Sequence, residues 1–234
     1  MEQRILWAGD STVKKNTIET YPQTGIGQVL PLYLRPEIQI LNYAENGRST
    51  KSFIEEGRLD MIEREIKERD LLFIQFGHND QKTDLERHTK PYGEYQVNLR
   101  KFIEVAKRKG AKPVLITSLY RRHFDENENL KDNVHEDYPD AMKDVAKVCG
   151  VACIDLCEKS KQLLQQYGDA KTKEWFMNLP GNRYQAYPDG LVDNTHLRYE
   201  GAVIMAGLVA EGLYELGGEY KNLLLNEDKK KVLL

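Results

Sequence analysis

The sequence predicts an α/β protein, a three-layer sandwich in which helices cover both faces of a five-stranded parallel sheet. Two observations carry this expectation. Short apolar runs alternate with longer segments of helical spacing, one pair every 25–40 residues or about that, which is the signature of repeated strand–helix crossovers. In addition, Leu71–Phe76 is an almost uninterrupted apolar run, as expected of a strand covered on both faces.

The elements follow in order. Arg4–Ala8 is the first strand, and an apolar helix lies around Gly27–Leu34. Gln39–Ala44 is the second strand, and Arg58–Lys67 has helical spacing through Leu59, Ile62 and Ile66. After the third strand, Leu71–Phe76, comes the clearest helix. Tyr95, Leu99, Phe102, Ile103 and Ala106 draw one apolar stripe, with Pro91 at its start and Gly110 just past its end. Pro113–Thr117 is the fourth strand. A polar loop over Arg121–Asp137 leads to a helix over Asp140–Cys149. Val151–Asp155 is the fifth strand, Glu158–Tyr167 a further helix, Ala170–Leu191 irregular, and Glu200–Leu216 a last helix rich in Ala and Gly. No repeat, low-complexity tract or linker divides the chain, so residues 1–234 are expected to form one domain.

Composition narrows the function classes. Hydrophobic residues make up 40% of the chain, enough for a sizeable core, and the formal charge is −3 with both signs spread along it. That balance offers no general attraction to nucleic acid. The short run Lys229-Lys230-Lys231 reads as a solvated tail. No apolar stretch reaches the ~18 residues of a membrane span, and the start Met1–Asp10 reads as a first strand rather than a signal peptide. A cytoplasmic location is expected. The three cysteines, Cys149, Cys153 and Cys157, lack the short pairs of a zinc site and read as free, buried thiols. His78, His88, His123 and His135 show no ligand spacing, so no metal is expected. Gly25-Ile26-Gly27 lacks the third glycine of a dinucleotide loop, and no Gly-x-Ser-x-Gly elbow occurs. No cofactor is expected.

In parallel sheets, sites gather at the carboxyl ends of the strands. There the first strand runs into Gly9-Asp10-Ser11-Thr12, the second into Glu45-Asn46-Gly47-Arg48-Ser49, and the third into Gly77-His78-Asn79-Asp80. Asp193-Asn194-Thr195-His196 stands just before the last helix. A serine, small and amide-bearing residues, and an Asp–His pair are what acyl transfer needs: a nucleophile, oxyanion donors and an oriented base.

Together these four segments resemble, in order and approximate spacing, the signature blocks of the SGNH hydrolases, also called GDSL-type esterases. The resemblance spans nearly the whole chain. It implies a flavodoxin-like SGNH hydrolase fold and assigns Ser11 as nucleophile, His196 as base and Asp193 as the carboxylate orienting it. It also implies an oxyanion hole from the backbone N–H groups of Ser11 and Gly47 and the Asn79 amide.

Within that class the wording from Asn46 to Arg58, Ile-Gln-Phe-Gly-His-Asn-Asp from Ile74 to Asp80, and Tyr-Arg-Arg-His-Phe from Tyr120 to Phe124 are similar to rhamnogalacturonan acetylesterases. Two departures stand out. Asn46 takes a position where that family is expected to have glycine, and the fourth strand ends Thr-Ser-Leu-Tyr rather than in a Pro-containing turn. The resemblance implies a carbohydrate esterase acting on acetylated pectin oligosaccharides. Arg48, Arg121 and Arg122 are candidate ligands for galacturonate carboxylates, since a guanidinium fork suits a carboxylate. The loops Arg121–Asp137 and Ala170–Leu191 are the expected walls of the substrate groove. Other readings of the same blocks are an acetylxylan esterase, a lipase or thioesterase, for which Arg121–Asp137 is too polar a lid, and a non-catalytic carbohydrate-binding relative.

Overall fold

The computed structural model describes residues 3–225, so the lysine run at 229–231 lies outside the described residues. The apolar runs form the strands β1 (Arg4–Gly9), β2 (Gln39–Asn42), β3 (Leu71–Gln75), β4 (Lys112–Ile116) and β5 (Ala152–Ile154). They pair in parallel in the order β2-β1-β3-β4-β5. β1 and β3 are buried almost throughout because both faces are covered.

Side chains alternate across the sheet with the two-residue period of a strand. Ile5, Trp7, Leu71, Phe73, Val114 and Ile116 enter one core. Leu6, Ala8, Leu72, Ile74 and Leu115 enter the other. The first core is closed by α1 (Ile26–Val29), α6 (Leu156–Thr172) and α7 (Tyr199–Leu216). The second is closed by α2 (Thr50–Glu55), α3 (Arg58–Glu65), α4 (Gln96–Arg108) and α5 (Tyr138–Cys149). This is the expected three-layer sandwich. No helix among the described residues is long and apolar enough to cross a membrane. Cys149, Cys153 and Cys157 are free; only Cys157 is buried, and the other two are partly exposed.

Two local expectations are corrected, and one helix is added. The helix expected over Gly27–Leu34 is one short α-helical turn followed by a 3₁₀ turn, Leu30–Tyr33, because Pro31 cannot supply the N–H that would continue it. α2 was not foreseen; its start is fixed by a reciprocal cap in which Ser49 accepts from Ser52 N–H and Ser52 accepts from Ser49 N–H. The segment Ala170–Leu191 is not wholly irregular. α6 continues past a break at Gly168 to Thr172, and Phe176–Leu179 forms a strand, β6, antiparallel to β7 (Leu191–Leu197). This two-stranded sheet stands apart from the main one. A last turn of helix, α8 (Gly218–Lys221), follows α7.

β7 sets the geometry of the site. Thr24 N–H donates to Leu197 O at 2.9 Å and Arg122 N–H donates to Asn194 O at 2.9 Å. These bonds pin β7 to the loops that follow β1 and β4. The strand order reverses between β1 and β3, and such a switch point opens a crevice at the carboxyl ends.

Candidate active site

Ser11 follows β1 in a turn built by its neighbour. Asp10 O accepts from Val13 N–H and Lys14 N–H, each at 3.1 Å. Its carboxylate Oδ1 accepts from Thr12 N–H at 2.9 Å and from Thr12 Oγ1 at 2.7 Å. Asp10 is 1% exposed, and burial pushes its carboxyl up despite these bonds. The turn leaves Ser11 partly exposed at the crevice.

β7 carries the partner groups. His196 Nε2 lies 2.8 Å from Ser11 Oγ, and His196 Nδ1 lies 2.6 Å from Asp193 Oδ2. Asp193 Oδ1 accepts from Thr195 N–H at 2.8 Å and from His196 N–H at 3.0 Å, so the carboxylate is held on both oxygens. Burial works to raise the Asp193 carboxyl. The His196 hydrogen bond and charge, together with the two backbone donors, outweigh it and hold the group below its ordinary value. Both residues lie on a bulged strand, whose register shift against β6 falls between Phe176 and Asn178. Such irregularities re-aim side chains next to sites.

The remaining candidates converge from the neighbouring strand ends. Gly47 adopts φ +75°, a conformation that strains residues with a Cβ. Among the described residues, the N–H groups of Ser11 and Gly47 take no part in the turn and loop hydrogen bonds around them. Glu45 N–H donates to Gly9 O at 3.1 Å, tying the second loop to the first. Asn79 is 7% exposed; its amide donates to Arg48 O at 3.2 Å, and its oxygen faces Arg87 Nη1 at 3.4 Å. Arg87 is itself fixed by Asp84, so the Asn79 amide nitrogen is aimed one way.

Asp80 secures this arrangement. It is fully buried, and its carboxyl accepts from Thr50 N–H at 3.1 Å, Thr50 Oγ1 at 2.5 Å and Thr89 Oγ1 at 3.0 Å. It thereby fastens the end of β3 to the start of α2, just beyond Gly47. Burial outweighs these hydrogen bonds and pushes the carboxyl up to about 7. Asp10, Asp80 and Arg87 have no role assigned from the sequence. Asp10 bonds Thr12 inside its own motif, and only its burial marks it out; Asp80 bonds Thr50 and Thr89, 30 and 9 residues away, which its motif does not show.

The three arginines separate by environment. Arg122 is 4% exposed and its guanidinium is spent on Thr172, Asn194 and Asp169. It braces β7 against α6, contrary to the expectation that it meets substrate. Arg48 is paired with Glu56 at 2.9 Å. Arg121 has no carboxylate within ion-pair distance among the described residues and donates only to the carbonyls of His78 and Val134. Burial lowers its affinity for a proton, while Asp10 and Asp193 act in the opposite sense. His78 and His135 are buried and in edge-to-face contact, whereas His88 and His123 are exposed. No cluster able to hold a metal occurs among the described residues.

A serine hydroxyl bonded to an imidazole, itself bonded to a carboxylate, can be deprotonated during attack on an ester carbonyl. Comparison with known proteins points to ester hydrolysis. Residues 8–204 match the GDSL-like lipase/acylhydrolase family. The chain is 44% identical over 228 residues to a rhamnogalacturonan acetylesterase of Bacillus subtilis, covering 97% of each. Among solved structures, the Bacillus subtilis protein YxiM superposes with a TM-score of 0.78 at 26% identity, over 93% of this chain and 57% of that longer one. An acetylxylan esterase of Geobacillus stearothermophilus shares the fold at a TM-score of 0.63 and 19% identity, over 93% of this chain and 95% of that one. The chain belongs to the GDSL-like lipase/acylhydrolase family and is an ester hydrolase.

Proposed function

We propose that this hydrolase removes O-acetyl groups from rhamnogalacturonan oligosaccharides through an acyl-enzyme on Ser11. The observation that carries the mechanism is the unbroken relay from Asp193 through His196 to Ser11, at 2.6 and 2.8 Å. Ser11 Oγ attacks the acetyl carbonyl as its proton passes to His196 Nε2. The negative charge that develops on the carbonyl oxygen is met by Ser11 N–H, Gly47 N–H and the Asn79 amide. When the tetrahedral intermediate collapses, His196 returns the proton to the departing sugar hydroxyl. Water then enters, His196 takes one of its protons, and acetate leaves with Ser11 restored. Asp193 keeps the proton of His196 on Nδ1 and balances the imidazolium.

The substrate assignment is supported by the 44% identical relative and by Arg121. A desolvated guanidinium beside the relay, with only carbonyl partners, suits a carboxylate on the sugar chain. The test is acetate release by wild type and Ser11→Ala, run in parallel on acetylated rhamnogalacturonan and acetylated xylan oligosaccharides. Release from the pectin fragments alone, abolished by Ser11→Ala, is expected. Release from xylan fragments alone would discard the pectin assignment and leave the serine chemistry standing. Activity surviving Ser11→Ala would sink the mechanism.

A further inference from the structure

The connection between β6 and β7 folds back on the segment that follows the nucleophile turn. Tyr187 OH lies 3.5 Å from both Thr20 O and Gln23 Oε1. Gln23 bridges Arg198, two residues beyond His196, and Thr24 bonds Leu197. The two segments therefore meet along the strand that carries the relay. Burial and the nearby Asp193 carboxylate raise the Tyr187 phenol above its ordinary value.

Where they meet, aromatic surface faces solvent. Tyr21 is 56% exposed and stands 5.8 Å from Tyr184, centroid to centroid, in an edge-on arrangement. Arg183 lies over the Tyr184 ring at 5.7 Å. It is exposed and has no carboxylate within ion-pair distance among the described residues. Singly exposed apolar side chains are ordinary on a protein surface, but here two rings and a guanidinium gather on one patch beside the strand that carries the relay. Tyrosine rings present a rigid apolar face at little entropic cost, and the C–H faces of pyranoses stack on such rings. An unpaired guanidinium beside them adds a fork for an anion.

We propose that Tyr21, Tyr184 and Arg183 form a sugar subsite beside the reacting centre. The rings take the apolar face of a sugar unit of the acetylated chain, and Arg183 takes the carboxylate of a neighbouring uronate. This deepens the function proposed above and rests on it for the acidic character of the chain. A small acetyl ester would not reach the subsite; an oligosaccharide would.

The test compares KM and kcat for wild type, Tyr21→Ala, Tyr184→Ala, Tyr184→Phe and Arg183→Gln. Substrates are acetylated rhamnogalacturonan oligosaccharides, acetylated xylo-oligosaccharides and p-nitrophenyl acetate. Each alanine variant should raise KM about fivefold to tenfold on the oligosaccharide that wild type uses, with kcat held. Tyr184→Phe should restore the wild-type KM. Arg183→Gln should raise KM on the acidic chain only. Unchanged KM in the alanine variants, or an equal loss of kcat on the small ester, would overturn the subsite. Should wild type use only the neutral chain, the rhamnogalacturonan reading fails by itself. The ring platform then stands if the tyrosine effects persist, and the carboxylate role of Arg183 is overturned.

Discussion

Asp80→Asn is the perturbation whose size follows most directly from the structure. The side chain is fully buried, bonded only to neutral donors, and burial lifts its pKa from the ordinary 3.8 to about 7. Between these values the unfolded chain has lost this proton and the folded chain has kept it. Unfolding therefore becomes easier as pH rises: the contribution is fully present below 3.8 and is lost as pH passes through 7. A window of about three pH units, at about 1.4 kcal/mol each, amounts to about 4 kcal/mol. An asparagine is nearly isosteric, can still accept from Thr50 and Thr89, and does not titrate. Stability relative to wild type should then climb by about 4 kcal/mol from pH 4 to pH 8. Urea unfolding of both proteins across that range measures the difference, and other titrating groups cancel in it. A pH-independent difference would refute the reasoning, because it would mean that the Thr50 and Thr89 hydrogen bonds keep Asp80 ionised throughout.

Two other outcomes are expected. Asn79→Ala removes the one side-chain donor assigned to the oxyanion, so kcat should fall by about 10²–10³ with KM little changed, read from acetate release. A Cβ at Gly201 would sit 2.1 Å from Trp175 O, where α7 leaves the end of β7. Gly201→Ala should therefore lower the thermal midpoint and weaken the seating of β7, seen as a loss of activity at temperatures where the main sheet still melts cooperatively.

What the sequence made legible depended on distance along the chain. Ser11, Gly47 and Asn79 were readable because each ends a strand whose apolar run is plain, and the strand-end rule then brings them together. The spacing of Asp193 and His196 was readable as a pair, but their strand was not. β7 is polar where it serves the site and exists as a strand through its pairing with β6 and its bonds to Thr24 and Arg122. Arg121 and Arg122 look alike in sequence. They differ because Asp169, Thr172 and Asn194 surround only the second. The contact of Tyr21 with Tyr184 likewise has no local signal, since neither position lies in an element of regular period.

The Ser11–His196 hydrogen bond spans 185 residues, and the half that carries the imidazole belongs to a two-stranded sheet outside the main one. During synthesis, the five parallel strands can be complete before any residue of β7 has emerged. The Ser11–His196–Asp193 arrangement can therefore be completed only at the closing stage of assembly, after the scaffold that supports it. The reverse holds under mild denaturing stress. A ribbon held by a few backbone bonds, the Arg122 brace and a handful of buried side chains such as Phe176 and Leu197 is able to detach in a sub-global opening while the central layers stay intact. Catalysis would then fade ahead of the global transition, and turnover would act as a gauge of whether that one ribbon is docked.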